Sequence, residues 1–161
     1  MRFVGIDPGV TGALAFLNDG VPSVIDMPRD MDGVNGHEVY ALLRVWEPDE
    51  VYVERTHAMP VNGSKAGYSL GDSNGSIRAA VHIAHVPLIW VTPRSWQQSF
   101  GLFGGAFNDA ERKTRSRHRA IELYPTLADQ LGRIKDHNRA EALLIATYGA
   151  RTSITQAVIS G

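Results

Sequence analysis

The residues of this chain best suited to chemistry are acids placed where apolar runs begin or end: Asp7, Glu54, Asp136 and Glu141. Asp7 closes the run "FVGID" and is followed at once by Pro8-Gly9, and Glu54 closes "VYVE". A charge buried without a partner costs several kcal/mol or more, so an acid at the end of a buried strand needs a cation or a proton. Glu141 is the most informative of the set. On a helix turning roughly 100° per residue it lies in the middle of the arc formed by Leu144, Ile145 and Tyr148, the face that packs on a sheet. Singly, each acid has a plain structural use: Asp7 as a cap on the Pro-Gly turn, Asp136 as a helix N-cap, Glu141 as the partner of a buried arginine. Together they close separate elements that one α/β sheet would bring to a common edge. Carboxylates that converge repel unless they share protons or hold a divalent cation. Oxygen donors from Asp and Glu suit Mg²⁺ or Mn²⁺, and with no cysteine and no paired-histidine spacing nothing argues for zinc. Two such ions, roughly 3.5 to 4 Å apart, activate a water and stabilise the leaving oxygen of a phosphodiester.

The elements that would position these acids follow from the pattern. Residues 2–6 read as a strand, Pro8 to Gly12 as a turn, Ala13 to Leu17 as a second strand, and Asn18-Asp19-Gly20 as the hairpin turn into a third, Val21 to Met27. His37 to Trp46 carries Val39, Leu42, Leu43 and Trp46 at helical spacing and stops at Glu47-Pro48-Asp49 before a fourth strand, Glu50 to Glu54. Residues 57–76, with Gly63, Gly67, Gly71 and Gly75 among Ser and Asn, read as a mobile loop entering a helix that settles over Ile77 to His85. Pro87 to Thr92 reads as a fifth strand, and Pro93 as the first residue of a short helix capped by Thr92. A loop rich in Gly and Phe, Phe100 to Phe107, precedes a helix over residues 108–123. A last helix starts near Asp136 and ends near Ala150, leaving residues 151–161 as a flexible tail. Trp90 belongs in an apolar strand, and Trp96 with Phe100 reads as packing beneath the loop that follows. The order implies one α/β domain over 1–161, a mixed five-stranded sheet with helices packed on both faces.

The whole chain has 161 residues, 16 Lys plus Arg against 17 Asp plus Glu, and a formal net charge of −1, so any anionic partner must be met by a local patch. The helix over 108–123 offers one. It contains "ERKTRSRHRA", with Arg112, Lys113 and Arg115 the first choices for contacts to phosphates, and Lys65 and Arg78 in and after the Gly-rich segment as further candidates. Absence of cysteine suits a reducing compartment, and no apolar stretch reaches the roughly 18 residues needed to span a bilayer. The expectation is a soluble cytoplasmic protein without membrane partners.

The segments "GIDPGVTGALAF", "VYVERTHAMP", "WVTPRSWQQSFGL" and "KDHNRAEALLIATYGA" resemble, in order and spacing, the four blocks of the RuvC-like Holliday junction resolvases, particularly the phage-type branch, within the ribonuclease H-like nuclease superfamily. The resemblance implies a ribonuclease H-like fold, a homodimer, two Mg²⁺ ions per site with Mn²⁺ as substitute, and paired symmetrical nicks in four-way DNA junctions. It places the family's acids on Asp7, Glu54 and Glu141. The partner acid three residues before the last falls on Asn138, so Asp136 is favoured to complete the set, with His137 as a further ligand or proton shuttle. The segment after Glu54 corresponds to a loop that enters the junction in these enzymes, where His57, Met59 or Tyr68 could stack on a base. Two other readings compete: a related nuclease for flaps or other branched DNA, and an actin-like nucleotide-binding domain, whose phosphate hairpin "GIDPGVTGALAF" also resembles. The latter fold needs two such domains around its cleft, and the chain has the length of one. A catalytically dead junction-binding protein would retain the basic helix and lose the carboxylates.

Overall fold

Alternation of side chains along the strands builds two cores, one on each face of a single sheet. The computed structural model describes residues 1–31, 33–56, 63–105 and 108–160, with side chains through 153. Its strands are β1 (Arg2–Asp7), β2 (Ala13–Asn18), β3 (Val21–Asp26), β4 (Glu50–Glu54) and β5 (Leu88–Val91). Its helices are α1 (Gly36–Trp46), α2 (Gly63–Ile83), α3 (Pro93–Ser99), α4 (Asp109–Leu123), α5 (Ala128–Leu131) and α6 (His137–Ser160), with short 3₁₀ turns at Pro125–Leu127 and Ile134–Asp136. The sheet order is β3-β2-β1-β4-β5. β1, β2 and β3 are antiparallel neighbours, whereas β4 pairs parallel with both β1 and β5. Phe3, Ala15, Leu17 and Tyr52 face a core shared with Leu143, Leu144 and Trp96. The alternate residues Val4, Ile6, Leu14, Phe16, Val51 and Val53 face Val39 and Leu43 of α1 and Ile77 and Val81 of α2. The mixed five-stranded sheet with helices on both faces is therefore as expected.

Gly5 decides how closely α6 can lie on the centre of the sheet. A Cβ at this position would stand 2.2 Å from the Ala142 carbonyl oxygen and 2.3 Å from the Ala146 nitrogen, so the helix backbone rests where a side chain would otherwise be. Gly149 repeats the device two turns on, with space for a Cβ taken by the Tyr52 ring at 2.4 Å. These contacts fix the height of Glu141, the residue before Ala142, over the end of β1.

Three elements depart from the sequence reading, the simplest being α5 with the 3₁₀ turn before it, where the sequence reading placed no helix. α2 begins at Gly63, so residues 63–76 are helical rather than a loop, and the expected stretch 57–62 lies outside the described residues. Glycine disfavours helix by about 1 kcal/mol relative to alanine, but burial of Ser73, Ile77, Ala80 and Val81 against α1 and the sheet supplies tertiary packing that propensity alone does not include. α6 is helical through Ser160, beyond the Ala150 expected from the sequence, because "RTSITQAVIS" contains neither Pro nor Gly to stop it. The other boundaries match closely. α3 is capped by Thr92, whose hydroxyl accepts from the Ser95 N–H at 3.2 Å, and α4 by an Asn108–Glu111 capping box. Among the described residues no helix is long and apolar enough to cross a membrane.

Candidate active site

Parallel pairing of β1 with β4 aligns Ile6 with Val53, so the next residues, Asp7 and Glu54, end adjacent strands at one edge of the sheet. α6, lying across β1 through Gly5, carries Glu141 to the same edge. Three sequence-distant carboxylates are thereby brought within each other's field. Burial raises the Asp7 carboxyl well above its ordinary range, and the charges of Glu141 and Glu54 push it further. Glu54 is raised by burial. Glu141 is pushed up to about 7 by burial and by Glu54, while the Ser116 hydroxyl and Lys113 oppose the shift.

Two of the carboxylates also have a local holder. Glu54 accepts a hydrogen bond from the Trp96 indole, Nε1 to Oε1 at 2.7 Å, with Trp96 fully buried. Glu141 receives the hydroxyl of Ser116 from α4. Lys113, one turn before Ser116, reaches the cleft and draws down both Asp7 and Glu141, while its Nζ also pairs with Asp109 at 3.2 Å. The cleft is about 680 Å³ and is bounded by Asp7, the Val10–Gly12 turn, Lys113, Asp136, His137, Asn138 and Glu141.

The three acid-helix candidates behave differently from Glu141. Asp136 lines the cleft, but its carboxylate is taken by Arg133: Nη2 donates to Oδ1 at 2.9 Å, and the Arg133 backbone N–H donates to Oδ2 at 2.8 Å. That guanidinium holds Asp136 below the usual carboxylate range, the opposite of the other three acids. The ring of His137 is engaged through Nδ1 with the Ile134 carbonyl at 3.1 Å. Asn138 donates its side-chain amide to the Thr11 carbonyl, tying the start of α6 to the β1–β2 turn. A further tie comes from Arg139, which holds Asp26 at the end of β3 through two bonds of 2.6 and 2.7 Å.

Of the basic candidates, Lys113 stands in the cleft itself, Arg112 is exposed and pairs with Asp109 at 3.5 Å, and Arg115 donates to the Gly101 carbonyl at 3.1 Å. Arg117, part of the same run, is buried and donates to the Gly132 carbonyl at 2.7 Å, so the stripe is not one continuous solvated face. Lys65 and Arg78 are exposed on α2, as is Tyr68, whereas His57 and Met59 lie outside the described residues. Trp96 as a partner of Glu54 was missed by sequence reasoning. Its one signal is the spacing that starts α3 directly after the strand paired with β4.

No family model matches the chain, and no curated protein matches it. Solved structures do. A Thermus thermophilus RuvC structure is similar with a TM-score of 0.63 at 22% identity, covering 95% of this chain and 97% of that one. T. thermophilus RuvC in complex with Holliday junction substrate is similar with a TM-score of 0.61 at 19% identity, covering 94% of this chain and 96% of that one. The fold is that of RuvC. The RuvC fold here places Asp7, Glu54 and Glu141 on β1, β4 and α6, the elements whose packing has just been described.

The donor set of this site fits a hard divalent cation: all its acidic donors are oxygens, and positive charge would offset their burial and the repulsion acting on Asp7 and Glu141. Among the described residues, no three acids or histidines stand close enough together to enclose an ion as they are placed. Burial of these acids, with the repulsion added to it, has a measurable consequence. Glu141 has a folded-state pKa of about 7 against an ordinary 4.5, so the folded protein binds the extra proton and the contribution of Glu141 to stability is full below 4.5 and is lost as pH rises to about 7. Asp7 and Glu54 are shifted in the same direction. In EDTA the melting temperature is expected to fall by several degrees across that window, a cost on the order of 3 kcal/mol from Glu141. Mg²⁺ at high pH should restore it. Thermal melts in EDTA and in Mg²⁺ check this, and a pH-independent melting temperature in EDTA would show that Glu141 is not buried beside Glu54 as described.

Proposed function

We propose that this chain is a divalent-metal-dependent, structure-selective DNA endonuclease that resolves four-way junctions by paired nicks, acting as a homodimer. The observation that carries the reading is the meeting of Asp7, Glu54 and Glu141, each with a raised pKa, at one edge of a RuvC-like fold. An unrelieved cluster of this kind destabilises the fold, which is the usual mark of residues placed for function. Asp7, Glu54 and Glu141 would hold Mg²⁺ or Mn²⁺, two ions per site, and when bound the metal would polarise the scissile phosphate and lower the pKa of a water. The fourth position falls to Asp136, His137 or Asn138. Of these, Asp136 already has a guanidinium for a partner, which favours an anchoring role at the start of α6 over a ligand role.

The remaining residues bind and orient. Lys113 lies beside the carboxylates and is the cation best placed to meet a phosphate entering the cleft. Arg112 and Arg115 on the same helix, with Lys65 and Arg78 on α2, would contact phosphates farther along the arms, giving affinity that falls steeply with salt. Paired nicks in two strands require two sites, and one chain supplies one, hence the homodimer. The test uses a synthetic four-way junction, a flap and plain duplex, each labelled strand by strand and incubated with Mg²⁺. Symmetrical nicks in two opposed strands of the junction support the reading. Preferential cutting of the flap would retain the nuclease and discard the junction as substrate, and no cutting with Mg²⁺ or Mn²⁺ would discard both.

A further inference from the structure

Glu54 is held by a donor of an unusual kind for a buried acid. Asp136, just before α6, is held by a guanidinium, which pairs its charge. Glu54 is held instead by the indole N–H of Trp96, a neutral group that donates one hydrogen bond and accepts none. Such a donor fixes the rotation of a carboxylate without cancelling the charge that a cation needs. The bond falls on Oε1, and among the described residues Oε2 accepts no hydrogen bond. The fold delivers this ring by a short route. β5 pairs with β4 so that Val91 lies opposite Glu54, and the Arg55 N–H donates to the Val91 carbonyl at 2.7 Å, which locks the two strand ends together. Thr92 caps the next helix and Pro93 sets its first turn, so Trp96 arrives one turn later, fully buried beside Phe100 and Leu102. Burial fixes the ring on every side except the N–H that meets Glu54.

We propose that Trp96 is a positioning residue for metal binding: its Nε1–H orients the Glu54 carboxylate so that Oε2 is presented to the divalent ion as a single-oxygen ligand. The inference rests on the metal-site reading above and adds a residue to it. A purely packing role would be kept by any large apolar ring, whereas a positioning role depends on the N–H alone.

The test begins with the unmodified protein. It has three tryptophans, Trp46, Trp90 and Trp96, hence three indole N–H resonances in a ¹⁵N-correlated spectrum. Titration with Mg²⁺ is expected to move the Trp96 resonance and leave those of Trp46 and Trp90 in place, and a trace of Mn²⁺ should broaden Trp96 first. Glu54→Gln retains an acceptor for the indole and loses the charge, so its Trp96 resonance should persist and stop responding to Mg²⁺. Trp96→Phe keeps a smaller aromatic ring in the core and removes the donor. It should melt as a folded protein yet need about tenfold more Mg²⁺ for half-maximal cleavage, the scale of one hydrogen bond to a charged group, with the rate at saturating Mg²⁺ changed far less. If calorimetry shows Mn²⁺ binding while the Trp96 resonance stays fixed and Trp96→Phe keeps the wild-type metal dependence, the positioning role is overturned and the metal site stands. If calorimetry shows no Mn²⁺ binding at all, the positioning role falls together with the reading beneath it.

Discussion

Asp7→Asn is expected to abolish junction cleavage, reducing its rate on the order of 10³-fold or more, while leaving junction binding within a few-fold of wild type. The size follows if Asp7 is a central oxygen ligand, as proposed, because metal stabilisation of the transition state contributes several kcal/mol. On the proposed reading binding survives because affinity would rest on cations spread over α4 and α2, most of them away from Asp7. The same substitution should raise the melting temperature of the metal-free protein. Asp7 is buried, with the charges of Glu141 and Glu54 both raising its pKa, so removing its charge relieves burial cost and repulsion together. A gel-shift assay in Ca²⁺ or EDTA, a cleavage assay in Mg²⁺ and a thermal melt in EDTA separate the three effects. Cleavage at the wild-type rate would remove Asp7 from the site, and a fall in stability would show that Asp7 serves the fold instead.

Gly5→Ala is expected to do the reverse, lowering stability and activity together. The added methyl would stand 2.2 Å from the Ala142 carbonyl oxygen and 2.3 Å from the Ala146 nitrogen. Both are backbone atoms of one helix and cannot swing aside as a flexible side chain could. The helix must lift or the strand must bend, at a cost of at least about 3 kcal/mol, which for a chain of this size lowers the melting temperature by roughly 10 °C. Lifting α6 also withdraws Glu141 from Asp7, so the surviving folded fraction should cleave poorly even at temperatures where it is intact. A thermal melt and a cleavage assay well below the midpoint test both parts. Normal stability would mean that α6 does not rest on Gly5, and the route by which Glu141 reaches the sheet edge would have to be redrawn.

The contrast between these two substitutions reflects what a sequence carries. Asp7, Glu54 and Glu141 are legible because each breaks a local rule: an acid ends a buried strand or sits on the apolar face of a helix, and such violations concentrate at sites. The sheet is legible because period-two alternation in residues 2–7 and 13–18 puts opposite faces into separate cores. What is not legible depends on partners distant in the chain. Trp96 reads as core because its burial shows in the apolar pattern, but the N–H that meets Glu54 depends on β5 pairing with β4. Asp136 looks like a ligand from its place beside Glu141, and only the fold reveals Arg133 closing on it from the preceding turn. Lys113 is indistinguishable in sequence from Arg112 and Arg115, yet the turn of α4 sends it into the cleft. The glycines of residues 63–75 argue for a loop by propensity, and tertiary packing of the second half of α2 overrides them.

The most direct measurement compares cleavage of one four-way junction by the wild type and by Glu141→Gln across a Mg²⁺ titration, with an EDTA control. Glu141→Gln preserves size and helix position and removes only the charge that α6 carries to the sheet edge. Paired symmetrical nicks by the wild type, absent in EDTA and lost in the variant at every Mg²⁺ concentration while the junction is still bound, are expected if the three carboxylates form one metal-dependent nuclease site. Cleavage by Glu141→Gln at the wild-type rate and Mg²⁺ dependence would contradict that arrangement.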